Sequence, residues 1–147
     1  MTTTAELPNA LSTAEALQLR REIVDHLRRQ AVWGSKCIFM NCEMHETAGG
    51  MTTSADLFSV TKPLFRLPKR NQWVLDAELL RRINRLGRLL MQDIGRDRVT
   101  LDLIVDGDGS SKLFVDSAQP RLLDGEDFYK SKHKAYAAEH PLLAALP

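Results

Sequence analysis

The amino-acid sequence predicts a two-layer α+β sandwich, in which an antiparallel sheet of about four to five strands is covered by helices. Three observations predict it. Some segments have apolar residues at helical spacing, and others alternate between apolar and polar residues. In one segment, residues 98–116, two such alternating stretches flank turn-forming residues and so predict a hairpin. The predicted order is α-β-β-(β)-α-β-β-α. We expect a single domain over residues 12–147, behind a flexible tail over residues 1–11, because a chain of 147 residues can bury one core.

The first helix is predicted from residue 12 to about residue 32. Ser12 and Glu15 have the spacing of a capping box, in which each side chain bonds the other residue's backbone. Trp33-Gly34 is expected to end the helix. The apolar residues of the segment fall on one helical face: Ala16, Leu19, Ile23 and Leu27.

A strand is predicted over residues 35–46, where the residue character alternates. One face carries Ile38, Met40, Cys42 and Met44, and the other carries Cys37, Phe39, Asn41 and Glu43. We interpret residues 46–54 as a flexible reversal and residues 55–60 as the returning strand. Two prolines, Pro63 and Pro68, limit residues 64–67 to an edge segment at best.

The second half of the chain contains the strongest signals. Residues 75–94 form a Leu-rich helical stripe, with Asp76 as the expected N-cap and Gly95 as the stop. Residues 98–116 are a hairpin that turns at Asp106-Gly-Asp-Gly and is expected to place an apolar face on the core and a mostly polar face outward. A weaker helix over residues 125–139 follows, and Pro141 blocks its continuation.

Composition excludes several classes of protein. A hydrophobic fraction of 44% and a charged fraction of 27% indicate neither disorder nor membrane residence, and a net charge of +1 requires any nucleic-acid-binding patch to be local. The N-terminus has no pattern of a secretory signal, so we expect a cytoplasmic protein. Cys37 and Cys42 lie on opposite faces of one predicted strand, which favours buried free thiols over a disulfide or a shared metal.

No catalytic, cofactor or metal site is predicted. The turn at residues 106–109 begins like a calcium loop, but serines stand at the three later ligand or glycine positions (Ser110, Ser111 and Ser117). His45-Glu46 lacks the second histidine of a zinc-protease helix. The other three histidines have no metal-ligand spacing and are expected to be solvated or partly packed. No serine or cysteine has a nucleophile motif, so we expect no enzyme.

Two charged groups have both an ordinary and a functional interpretation. The outer face of the second helix carries a basic row: Arg81, Arg82, Arg85 and Arg88. This row could follow phosphates, although Glu78 nearby favours a solvated face. An acidic group precedes the last predicted helix: Asp124, Glu126 and Asp127. It is expected to stabilise the start of that helix, and it could also meet a basic partner.

The sequence resembles the YezG-like (domain of unknown function 600) group of bacterial immunity proteins and the related immunity factors for NAD-hydrolysing necrotizing toxins. The resemblance covers about residues 14–140 and rests on the helix ending in Trp33-Gly34, the strands at residues 38–45 and 55–60, the Leu-rich helix, and the hairpin with its acidic glycine turn. The return strand, residues 113–117, departs from the aromatic and acidic pattern of that group.

The resemblance implies a cytoplasmic antitoxin of a polymorphic toxin system, which occludes the active site of a cognate toxin domain. The near-neutral charge slightly favours an NAD-hydrolysing toxin over a nuclease. We expect loop and turn carboxylates to contact the toxin: Glu43, Glu46, Asp106, Asp108, Asp124, Glu126 and Asp127. Two alternatives stay open: a nucleic-acid-binding module that uses the Arg81 to Arg88 row, and a small-ligand or enzymatic domain with a pocket between helices and sheet.

Overall fold

A computed structural model describes residues 9–116 and 132–146. Five antiparallel strands form one sheet in the order β3-β2-β1-β4-β5. The strands are β1 (Cys37–Thr47), β2 (Gly50–Thr61), β3 (Lys69–Gln72), β4 (Arg98–Asp106) and β5 (Ser111–Asp116). The α-helices are α1 (Ala14–Gln30), α2 (Ala77–Ile94) and α3 (Pro141–Ala145), and Asn9–Ser12 and Lys132–Tyr136 form short 3-10 helices. The predicted two-layer α+β fold is confirmed.

The start of α1 differs from the predicted capping box. Thr13 is the N-cap, and its hydroxyl accepts from the Ala16 amide at 3.2 Å. Glu15 instead accepts from the Arg85 guanidinium of α2, at 2.8 Å and 3.1 Å. The prediction of Ser12 as the cap is therefore wrong, because the adjacent Thr13 has the same capping chemistry.

The tail predicted over residues 1–11 lies only partly within the described residues. The 3-10 helix Asn9–Ser12 precedes α1 and places Leu11, which is 9% exposed, in the core. Residues 1–8 lie outside the described residues.

The predicted caps of α2 are confirmed. The Asp76 side chain accepts from the Leu79 amide at 2.8 Å, and Gly95 ends the helix with a φ of 75°. α2 lies so close to β1 that a Cβ at Gly87 would overlap the thioether of Met44. Any side chain at residue 87 would therefore require the Met44 side chain to move.

The core on the helix side of the sheet, which we call the helix-side core, confirms the alternation predicted for β1. Its β1 members are Ile38, Met40, Cys42 and Met44. Cys37 lies on the opposite face, so both predicted free thiols are buried and separate. Burial raises the pKa of the Cys37 thiol to about 12, and it raises that of Cys42 as well. Neither thiol is activated for nucleophilic chemistry.

The opposite face of the sheet is also covered, by residues of the C-terminal segment 132–146. The cluster there, which we call the far-side cluster, joins sheet residues to Tyr136, Leu143 and Leu146. Among its members from the sheet are Phe39, Phe58 and Ile104. The expectation that one face of β4 points outward is therefore wrong, because the covering segment follows β4 in the sequence and leaves no local signal in the strand.

A buried polar layer crosses this far side. Asn41 of β1 and the Tyr136 hydroxyl both donate to the carboxylate of Asp102, which is only 1% exposed. Charge-assisted hydrogen bonds of this kind offset part of the cost of burying a carboxylate. The layer fixes the C-terminal segment to the middle of the sheet.

The hairpin between β1 and β2 is much tighter than predicted. The strands pair without interruption from Cys37 with Val60 to Thr47 with Gly50, so only Ala48 and Gly49 form the turn. The interpretation of residues 46–54 as a flexible reversal is wrong, because the threonines there favour extended structure and pair with β1.

The edge strand and the C-terminal segment also differ from expectation. Residues 64–67 form no strand, and β3 begins after Pro68. An edge strand pairs through its backbone, so a polar sequence such as that of β3 can form one.

Of the helix predicted over residues 125–139, residues 125–131 lie outside the described residues, whereas Lys132–Tyr136 is a 3-10 helix. Pro141 is the first residue of α3 rather than only a block.

The Tyr136→Phe substitution is expected to reduce the loss of stability at alkaline pH. Burial and the charge of Asp102 raise the pKa of Tyr136 above its ordinary value of 10.0. Stabilisation from a pKa raised on folding is complete below the unfolded pKa and is lost as the pH rises beyond it.

Urea unfolding between about pH 8 and pH 11 measures this effect. The free energy of unfolding should fall more steeply above about pH 10 in the wild type than in Tyr136→Phe, whereas the two cysteines contribute equally to both proteins. Equal slopes would contradict the buried contact with Asp102.

Candidate binding surface at one end of the sheet

The carboxylates predicted as partner contacts do not form one surface. Glu43 lies within β1, inside the predicted strand, but it is only 1% exposed because the sheet face on which it lies is covered, so it is not an exposed loop carboxylate. Glu46 is exposed near the end of β1, where its carboxylate lies 3.5 Å from Arg88. The acidic group of Asp124, Glu126 and Asp127 lies outside the described residues.

The two aspartates of the β4–β5 turn are exposed but are engaged within the chain. Asp106 accepts from the Gly107 amide at 2.8 Å and lies 3.0 Å from His140 Nε2. His140, followed by the Gly107 amide, holds the pKa of the Asp106 carboxyl below its ordinary value. Asp108 accepts from the hydroxyl and the amide of Ser110, at 2.6 Å and 2.8 Å. Both carboxylates therefore shape the turn.

The basic row on α2 is mostly paired with carboxylates. Arg82 contacts Glu22 and Glu78, Arg85 contacts Glu15, and Arg88 contacts Glu46. Within the described residues, only Arg81 of the row has no such partner. A phosphate-binding face needs cations that are free to contact phosphates, so these pairs weaken the nucleic-acid alternative.

His26 and Asp76 have the appearance of a catalytic dyad, but their geometry is structural. His26 Nε2 lies 2.8 Å from Asp76 Oδ2, and its Nδ1 lies 3.2 Å from the Arg82 guanidinium. Because a guanidinium only donates, Nδ1 must be the acceptor and Nε2 must carry the proton. Neither nitrogen is free for a substrate, so the pair joins α1 to α2.

The histidines differ in part from expectation. His26 and His133 are only 5% and 2% exposed, so the prediction of solvated or partly packed side chains is wrong for both. Within residues 9–116 and 132–146, no three His, Cys, Asp or Glu side chains are grouped in a way that could hold a metal.

One end of the sheet brings three loops together. The loop before β1 (residues 31–36) adjoins the end of β2, since the Lys36 amide donates to the Val60 carbonyl at 2.8 Å. The loop between β2 and β3 (residues 62–68) leaves from the same end. The β4–β5 turn (residues 107–110) also lies there, because Asp106 pairs with Cys37. We call these three segments the loop end.

The loop end carries most of the exposed large apolar side chains of the described chain. It holds five of the seven such residues: Val32, Trp33, Leu64, Phe65 and Leu67. Trp33 is 98% exposed and Phe65 is 100% exposed. Groups of exposed apolar side chains, as distinct from scattered single ones, mark interaction sites in soluble proteins.

The backbone at Phe65 is strained. Phe65 is the only residue other than glycine with a positive φ, 60°, in the part of the chain that the structure describes. The Arg66 amide donates to the Pro63 carbonyl at 3.3 Å, so Leu64 and Phe65 are the central residues of a turn. Glycine usually occupies a position of this kind. Strain retained at an exposed position is typical of a functional site.

Comparison with known proteins gives no family assignment. No protein-family model and no curated protein matches the sequence. None of the helices within the described residues is long and apolar enough to cross a membrane.

The Phe65→Gly substitution is expected to stabilise the fold. It relieves a left-handed conformation that costs a non-glycine residue roughly 1–2 kcal/mol, and it removes no buried surface because the side chain is fully exposed.

Urea unfolding measures the change, and Leu64→Gly is the matched control because Leu64 is exposed without a positive φ. We expect Phe65→Gly to raise the free energy of unfolding by about 1 kcal/mol and Leu64→Gly to lower it by about 0.5 kcal/mol. A loss of stability in both variants would contradict the strained turn.

Proposed function

We propose that this protein is an immunity protein, a cytoplasmic antitoxin that binds a cognate bacterial toxin domain through the loop end and occludes the toxin's active site. The observation that carries the proposal is the exposure of Trp33 and Phe65, together with three aliphatic residues, on loops at one end of the sheet. Aromatic and arginine side chains dominate the binding energy of protein interfaces. The protein acts by binding and needs no cofactor.

The loop end has the rigidity that a tight inhibitor needs. Pro63 and Pro68 restrict the loop between β2 and β3, and the Lys62 ammonium donates to the Arg66 carbonyl across it. The start of β5, directly after the β4–β5 turn, is held to α1, since Arg20 Nη2 donates to the Ser111 carbonyl at 2.9 Å. A surface ordered before binding loses less conformational entropy when the complex forms.

The choice of a toxin as the partner rests on the resemblance to YezG-like immunity proteins. Members of that group are inhibitors rather than enzymes, and the paired His26 supports a role without catalysis here. The predicted acidic contacts are replaced in this proposal by apolar and basic ones at the loop end. Among toxins, an NAD-hydrolysing domain is proposed over a nuclease, because a cleft that binds a long polyanion would repel basic residues more strongly than a cleft that binds one dinucleotide.

Co-expression with the toxin encoded beside the gene tests this function. The wild-type chain should restore growth, and the purified chain should inhibit the activity of the purified toxin domain in competition with its substrate. Persistent growth arrest, or inhibition that is independent of substrate concentration, would contradict occlusion of the active site.

The Trp33→Ala substitution should weaken toxin binding by about 30-fold, which is typical of an aromatic hot spot worth about 2 kcal/mol. Val74→Ala is the matched control, because Val74 is 87% exposed and lies outside the loop end. Calorimetric titration of both variants with the toxin domain measures the effect. Equal affinities would place the interface elsewhere.

A further inference from the structure

We infer that the loop end binds an acidic protein surface, a cleft with an apolar floor and carboxylates at its rim. This inference rests on the proposed function, and it names the chemistry that the toxin presents. It reverses the expectation that acidic residues of this chain contact a partner.

The cations around the exposed apolar side chains lack carboxylate partners. Arg29, Lys36 and Arg66 are exposed, and within the described residues none of them forms an ion pair. Lys62 donates to a backbone carbonyl rather than to an acid. By contrast, three arginines of α2 are paired with glutamates.

The carboxylates of the loop end do not balance these cations. Asp106 and Asp108 are only two carboxylates against the four cations, and both already bond groups of this chain, His140 and Ser110. The whole chain has a net charge of only +1, and the excess of positive charge is therefore local. A partner of opposite sign speeds association and neutralises the cations, whereas a partner of like sign is rejected.

The fixed shape of the loops favours a protein over a lipid surface or a nucleic acid. Phe65 is held in a strained conformation, and Trp33 lies on a loop tied to β2 through the Lys36 amide. A bilayer or a flexible single strand adapts to the side chains that it meets and gains little from such order.

Charge reversal tests the inference, both at the loop end and at Arg29, which lies in the last turn of α1 directly before the loop end. The triple variant Arg29→Glu/Lys36→Glu/Arg66→Glu is compared with Arg96→Glu, an exposed arginine between α2 and β4, at the opposite end of the sheet. Association of each with the purified toxin domain is followed by stopped flow at about 20 mM and about 500 mM salt. Circular dichroism confirms that each variant folds.

We expect the triple variant to associate about 10- to 100-fold more slowly at low salt, with a smaller difference at high salt, and Arg96→Glu to match the wild type. An unchanged or faster rate for the triple variant would overturn the acidic surface while leaving the proposed function intact. No binding of the wild type to the toxin would overturn both. The wild type could also bind phosphatidylserine vesicles or oligonucleotides tightly. If the triple variant lost that binding while its association with the toxin stayed unchanged, the cations would belong to that ligand instead.

Discussion

Residues 37–44 of β1 are all buried, although consecutive side chains of a strand point to opposite faces. The strand pairs with β2 on one edge and with β4 on the other, so none of its surfaces is free. Because both faces of β1 are buried, other segments of the chain must cover the sheet on each side. α1 and α2 cover one face, and the C-terminal segment contributes to the cover of the other.

The polar layer on the far side makes the strand register specific. Asn41 pairs across the sheet with Asp102, and both are buried beside Tyr136. A slip of one residue would turn these polar groups toward the helix-side core and the apolar residues of β1 away from it. Removing one partner of such a network is costly, because the remaining carboxylate would be buried without its hydrogen bonds.

Local signals in the sequence were sufficient for α2 and for the β4–β5 hairpin, because the cap residues Asp76 and Gly95 and the turn at residues 106–109 act on their own neighbours. The burial of Asp102 could not be predicted in this way, since its partner Tyr136 lies 34 residues later. The sequence does not predict the loop end, because large apolar residues such as Trp33 and Phe65 are usually assigned to a core. A sequence signal for it is the short segment Leu64-Phe-Arg-Leu67, whose three apolar residues lie between two prolines with a lysine beyond each.

The proposed function requires that the loop end is the surface that meets the toxin. Amide hydrogen exchange of the protein, measured free and in complex with the purified toxin domain, tests this claim most directly. We expect slower exchange on binding in residues 31–36 and 62–68, with no change along the outer face of α2 or in the β1–β2 turn. Protection confined to α2 or to the β1–β2 turn, with the loop end unchanged, would contradict it.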